Sequence, residues 1–307
     1  MTCLRIATRG SALALAQARW VAARLEAILG VATETIPIKT TGDRLQNVSL
    51  AEVGGKGLFV KEIEEALLDH RADVAVHSAK DLPAVTPAAL ALVAWPQRED
   101  PRDALVARVR GATLVTLRPG ARVGTGSVRR AAQLRAFRAD LQIVPLRGNV
   151  PTRLRKLEDE GLDAIVLACA GLARLGLSDR IDERISPEVL LPAVGQGTLA
   201  LEARAGDALG RDLARLSEPQ AERAAIAERA FLARLQGDCN VPLAAFAEPA
   251  SGGLRVRGLV ASVDGARIVR GEATSEDALA AGEAAAAAVL RAGGDEVLAG
   301  LRGTSGP

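Results

Sequence analysis

Aromatic residues are nearly missing: the 307 residues include no tyrosine, four phenylalanines and two tryptophans. Cores must therefore be built from Leu, Val, Ile and Ala, and a surface that stacks nucleobases is excluded. Cysteine is also scarce. Cys3, Cys169 and Cys239 are an odd number without CxxC spacing, so neither a disulfide framework nor a zinc site is signalled, and no metal is expected. A net charge of only +2 gives no global field to draw in nucleic acid, so any arginine function must be local. No apolar run reaches membrane-spanning length, and Arg5 and Arg9 near the N-terminus precede no apolar leader. The expectation is a cytoplasmic protein that contacts no membrane.

What is present is globular: 49% hydrophobic and 25% charged residues. The length exceeds what one core usually supports, so two or three domains are expected. Leu4–Ala7 reads as a strand, with Ser11 capping a helix over Ala12–Leu29 that Gly30 ends. Gly54-Gly55-Lys56-Gly57 leads into an amphipathic helix ending near Leu68. Leu50 stands where the first P-loop glycine belongs, and Gly57 follows Lys56 where Ser or Thr is needed, so a nucleoside triphosphate is not expected. Lys56 remains a mobile cation over a cleft.

Asp73–His77 reads as a buried strand, with Ser78-Ala79-Lys80-Asp81-Leu82-Pro83 leaving its carboxyl end, where open α/β sheets bind ligands. His77 reads as a packed residue rather than a base. Pro96–Arg102, charged and proline-bounded, looks like a crossing between domains, and Pro192–Gly197 like the return. Gly124-Thr125-Gly126-Ser127-Val128-Arg129-Arg130 opens a helix. A dinucleotide fingerprint fails because Arg129 replaces a small residue and no acid follows at the required distance. What remains is an anion site of loop N–H groups, the Ser127 hydroxyl and two guanidinium groups. Arg147 and Arg153 follow one more strand and Arg174 another. Arginines recurring beyond strand ends suggest a shared polyanion cleft. The charged helix over Glu218–Leu235 reads as a wet face, and the remainder as a small α+β domain. Between them, Gly237-Asp238-Cys239-Asn240 holds a thiol on a turn.

Taken in order, ATRGS (7–11), GGKGLFVKE (54–62), HSAKDLP (77–83), REDPRDAL (98–105), VGTGSVRR (123–130), LRGNV (146–150), PAVGQG (192–197) and GDCNVP (237–242) closely resemble the hydroxymethylbilane synthase, or porphobilinogen deaminase, family. The resemblance implies two domains like those of type II periplasmic binding proteins flanking a cleft, plus a small α+β domain. The expected bounds are 1–97 with 197–216, 98–196, and 217–307. It implies a monomer that condenses four porphobilinogen molecules head to tail, releasing ammonia, and then hydrolytically releases the linear tetrapyrrole. The primer would be a dipyrromethane cofactor on Cys239. Lys80, Thr125, Ser127, Arg129, Arg130, Arg147 and Gly148 would hold that cofactor. Arg9, Ser11, Lys56, Arg153 and Arg174 would face substrate, and Asp81 would be catalytic, with Lys80 favouring its ionised form.

Three departures stand out: Glu52 where many relatives have lysine, Gly126 for a common serine, and Asp238 for a common glycine. Asp238 would raise the Cys239 pKa by like-charge repulsion. Two rival classes are weaker. A two-lobed protein could bind a small anion reversibly without catalysis, and a cysteine hydrolase would need His70 or His77 near Cys239.

Overall fold

The computed structural model describes residues 3–44, 60–236 and 241–303. The strands run β1 (Cys3–Arg9), β2 (Ala32–Ile38), β3 (Val74–Ser78), β4 (Leu90–Ala94), β5 (Asp103–Ala107), β6 (Arg122–Thr125) and β7 (Gln142–Pro145). They continue with β8 (Ala164–Ala168), β9 (Glu183–Ile185), β10 (Leu199–Arg204), β11 (Leu243–Ala250), β12 (Gly253–Ala261) and β13 (Ile268–Ser275). Two sheets share one plan, with orders β2-β1-β3-β10-β4 and β7-β6-β8-β5-β9. In each, the fourth strand runs antiparallel to its neighbours, and it is the strand that has just crossed from the other lobe. This is the expected pair of periplasmic-binding-protein-like lobes.

Local chemistry explains the elements. Ser11 Oγ accepts the Ala14 N–H, and Gly30, in the left-handed region, closes the Ala12–Leu29 helix. The buried faces of β1, β3 and β10 pack Leu4, Ile6, Val74, Val76 and Leu201 against Val21 and Leu25 of that helix. The second lobe repeats the pattern around Leu105, Val123, Leu134 and Val166.

The third sheet, β11-β12-β13, is fully antiparallel and packs against the Pro219–Leu235 and Ala278–Val289 helices. Small residues let these layers approach closely. A Cβ on Gly282 would fall 2.0 Å from the Ala227 carbonyl oxygen, and one on Gly258 would fall 2.1 Å from the Phe231 ring. The alanine tract 284–288 is helical. Gly293-Gly294 interrupts the helix through a residue at φ 94°, after which Asp295–Gly303 resumes it.

The two crossings lie side by side. Glu99 N–H donates to Gly197 O at 3.1 Å, and Arg98 Nε donates to Gln196 O at 2.9 Å. Gly197 has φ +86°, and a Cβ there would sit 2.3 Å from Glu99 O, so the approach requires glycine.

The charged helix 219–235 is not merely a wet face. Glu228, 0% exposed, accepts Arg98 Nη1 at 2.7 Å, Gly195 N–H at 2.6 Å and Ala247 N–H at 2.9 Å. One carboxylate thus binds both crossings and β11. Arg229 donates to the carbonyls of Pro83 and Ala84. Helical spacing alone cannot separate these residues from their solvated neighbours.

Glu228→Ala leaves a buried guanidinium and two N–H groups without their acceptor. We expect a loss of about 3–5 kcal/mol in urea unfolding; a loss within the ordinary surface range would show that the tie is dispensable.

Candidate active site

Parallel strands deliver the candidate residues to one region. β1 ends at Arg9, and β3 ends where a single 3-10 turn, Ala79–Asp81, presents Lys80 and Asp81. From the other lobe, β6 ends at Thr125, β7 is followed by Arg147 and Gly148, and β8 runs into the short Cys169–Arg174 helix. Two hollows lie between and beside these ends. One, of about 290 Å³, is lined by Lys80 and Ser78 from the first lobe and by Gly171 and Arg174 from the second. The other, of about 400 Å³, is lined by Arg9, Ser11, His77 and Asp81. Leu13, Gln17 and Ser78 belong to both walls.

Arg9 Nη1 lies 3.8 Å from Asp81 Oδ2. Lys80 is half-buried by surface area yet closely ringed by protein. Burial pushes its pKa down to about 8, with Arg130 and Arg153 adding to the effect and Asp81 and Asp103 opposing it. Burial likewise lowers Arg153 to about 10, helped by Arg130 and Arg147 and opposed by Asp81. Arg174 falls to about 10 by burial against the pull of Glu99, and donates to Gly197 O at 2.6 Å. These guanidinium groups stay charged at neutral pH. Arg147 makes no hydrogen bond or ion pair among the described residues, whereas Arg153 Nε donates to Gly148 O at 2.6 Å. Gly148 has φ +114°, and a Cβ would sit 2.8 Å from the Thr152 side chain.

Thr125 Oγ1 accepts the Ser127 N–H at 3.2 Å, and Ser127 Oγ accepts the Arg130 N–H at 3.4 Å, so both hydroxyls shape the loop and retain their own protons for donation. Gly126 abuts the Leu146 carbonyl, 2.5 Å from where a Cβ would stand; a serine here needs a shifted loop. Arg129 and Arg130 are both buried and paired with Asp103. Lys56, Glu52, Asp238 and Cys239 lie outside the described residues.

Several contributors escape sequence reading. Asp103 lies inside a quoted motif but looks like one more acid at a strand start. Gln17 bonds Ser78 Oγ at 3.0 Å, and a buried glutamine on a helix carries no signal by itself. His77 is buried as expected, but its Nε2 meets Glu202 Oε2 at 2.9 Å. Burial, with Asp100 and Asp103 adding, pushes the Cys169 thiol up to about 12, which removes it as a nucleophile.

The cleft fits an acidic pyrrole ligand. Lys80, Arg147 and Arg153 offer charge to carboxylates. The buried Gln196 Oε1 and Thr198 Oγ1, at the wall of the smaller hollow, have no protein partner.

Fold and site together define a two-lobed α/β protein whose cleft gathers cations around one carboxylate. Residues 4–212 match a family model described as porphobilinogen deaminase, dipyromethane cofactor binding domain, and residues 222–291 match the porphobilinogen deaminase C-terminal domain. The chain is 52% identical over 308 residues to the porphobilinogen deaminase of Syntrophotalea carbinolica, covering 99% of this chain and 98% of that protein. It is 54% identical over 271 residues to that of Sorangium cellulosum, covering 88% and 90%. Among solved structures, the VFT2 domain of BvgS from Bordetella pertussis is similar at a TM-score of 0.42 and 15% identity, over 70% of this chain and 86% of that one. The chain belongs to the porphobilinogen deaminase, or hydroxymethylbilane synthase, family. It is a transferase of porphyrin biosynthesis with a dipyrromethane cofactor, and reversible anion binding without catalysis is not favoured.

Lys80 supplies a direct test of the cleft's electrostatics. NMR of labelled lysine side chains should show Lys80 titrating near 8 while exposed lysines titrate near their usual value of about 10.4. An added dicarboxylate such as succinate favours the charged ammonium and should raise the Lys80 midpoint. Anion affinity should therefore fall as pH rises through 8, and that dependence should be absent in Lys80→Met. An ordinary Lys80 midpoint would remove it as a cleft cation.

Proposed function

We propose that this cleft carries out the stepwise condensation of porphobilinogen with the residues placed above. The reading is carried by the convergence of Arg9, Lys80 and Arg153 about Asp81, with Arg147 close to Arg153, at strand ends of both lobes. Each pyrrole bears an acetate and a propionate, so the growing chain accumulates carboxylates. Guanidinium forks pair with these bidentately and keep their charge. When bound to Cys239, the dipyrromethane supplies the pyrrole carbon on which the chain grows.

In this assignment Lys80, Arg130, Arg147, Thr125 and Ser127 hold primer carboxylates, with Arg129 beside them and Gly148 allowing the close turn. Arg9, Ser11, Arg153, Arg174 and Lys56 receive the incoming pyrrole. As the C–N bond of porphobilinogen breaks, ammonia leaves with the bonding pair and an electron-poor methylene pyrrole remains. Asp81 stabilises that positive charge and accepts pyrrole N–H hydrogen bonds. Asp81 would also take up the proton that the attacking pyrrole carbon gives up once the new C–C bond has formed. Arg9 stands beside this carboxylate, its Nη1 3.8 Å from Asp81 Oδ2.

We further infer three folding units at 1–97 with 197–216, 98–196 and 217–307, and a cytoplasmic monomer. The free thiols Cys3 and Cys169 suit a reducing compartment.

Intact mass of the denatured protein tests the reading most directly. After incubation with porphobilinogen, an excess equal to two linked pyrroles is expected, and its absence in Cys239→Ser assigns the attachment site. If the incubated parent shows no excess over its sequence mass, the primer reading falls. Asp81→Asn should retain the attached primer but elongate about a hundredfold more slowly or worse; turnover near that of the parent would dismiss the role.

A further inference from the structure

Asp81 stands on a turn whose two sides are held very differently. On the approach, Ala79 N–H donates to Thr198 O at 3.0 Å, and Leu82 N–H closes the turn on Ala79 O at 3.2 Å. Gly195, at φ +69°, lets the return crossing press against it; a Cβ there would fall 2.8 Å from Ala79 Cβ. The departing chain has no such backbone support. From Pro83 to Thr86, no backbone group joins another in a hydrogen bond among the described residues, and β4 begins only at Leu90. What fastens this stretch is Arg229, on the Pro219–Leu235 helix. Its Nη1 donates to Pro83 O at 3.0 Å and its Nη2 to Ala84 O at 3.1 Å, with Thr86 Oγ1 3.5 Å from Nη2. One turn earlier on that helix, buried Ala225 packs with Ala79 and Leu82 in one apolar cluster. We propose that Arg229 is a positioning residue for the condensation: its guanidinium fork fixes the chain leaving the Ala79–Asp81 turn and so sets where the Asp81 carboxylate stands in the cleft.

Two features distinguish this from a simple fastening of the helix to the first lobe. The neighbouring Glu228 pairs with a charged partner, Arg98, whereas Arg229 makes no ion pair among the described residues and places its two Nη donors on successive carbonyls. A planar fork bonded to two successive carbonyls fixes the direction of a chain as well as its position, which a point charge cannot do. The second feature is closeness to the reacting group. Pro83 and Ala84 stand two and three positions after Asp81, and between them and the turn lies Leu82, buried and in extended conformation at φ −77° and ψ 141°. A shift of Pro83 is therefore passed to Asp81 through one packed residue, and a misplacement of about 1 Å can cost a reaction about a hundredfold in rate.

This inference rests on the assignment of Asp81, and the experiment separates the two. Full-length, primer-loaded Arg229→Met and Arg229→Lys, each alone and combined with Asp81→Asn, are compared with the parent and with Asp81→Asn. The readouts are kcat and KM for porphobilinogen, intact mass and thermal midpoint. Arg229→Met should keep the attached dipyrromethane and a KM within about twofold of the parent, but lose about tenfold or more in kcat. Arg229→Lys keeps the charge without the fork and should recover only part of that loss. Because Arg229 acts through Asp81, neither double variant should be slower than Asp81→Asn alone. A lower thermal midpoint with kcat unchanged would reduce Arg229 to a fastener. A raised KM at parent kcat, or losses that multiply in the double variants, would equally overturn the proposal. If Arg229→Met fails to fold, Arg229→Lys decides: a parent-like kcat overturns the role, and a loss in kcat that vanishes in the Asp81→Asn background upholds it. Parent-like turnover in Asp81→Asn would instead overturn the assignment of Asp81.

Discussion

Guanidinium groups gathered in a desolvated cleft repel one another, and the rest of this structure depends on how that repulsion is managed. Burial and mutual repulsion both act against Lys80 and Arg153. Complete neutralisation by protein carboxylates would relieve the strain and leave nothing to attract an acidic ligand. The chain instead places its deepest carboxylates behind the site. Asp103 compensates Arg129 and Arg130, and Glu228 compensates Arg98. At the cleft itself Asp81 stands among several cations, so the energetic deficit there is one that a carboxylate-bearing ligand can offset.

The same carboxylates lie where the chain passes between lobes. Each lobe receives one antiparallel strand from the other side, so the connection is a pair of adjacent crossings rather than a single flexible linker. Asp103 holds Gln196 of the return segment, and Glu228 holds Arg98 of the outward segment and Gly195 of the return. Phe246 of β11 lies between the guanidinium groups of Arg98 and Arg257, and Arg257 reaches Glu188 just before the return. The third sheet is therefore fastened to the connection itself.

Much of this was legible in the sequence because it is local. Strand periodicity, the Ser11 and Gly30 caps, and the placement of arginines beyond strand ends follow from neighbours a few residues apart. Pro96–Arg102 announced a crossing through its prolines and charges. Pairing between distant residues was not legible. Arg98 meets Glu228 from 130 positions away, and Asp103 meets Arg130 from 27, and nothing in the spacing of helix 219–235 distinguishes Glu228 from the solvated Glu222 or Arg234.

The scarcity of aromatics bears on recognition as well as on the core. Alanine and glycine let the third unit's helices and sheet close around Phe231 without large side chains. The described walls of the two hollows contain no Phe, Tyr or Trp either; they are built from Leu13, Ala14, Val60, Ile63 and Ala168 among polar and charged groups. Among the described residues, the groups that can select a pyrrole are those that meet its carboxylates and ring N–H. Charge recognition of this kind is long in reach but blind to how many pyrroles have already been joined, since each brings the same pair of acids. In the proposed reading a covalent anchor would supply what such a cleft lacks: it would fix which end of the ligand is held while the arginines, which cannot tell one pyrrole from the next, hold the rest.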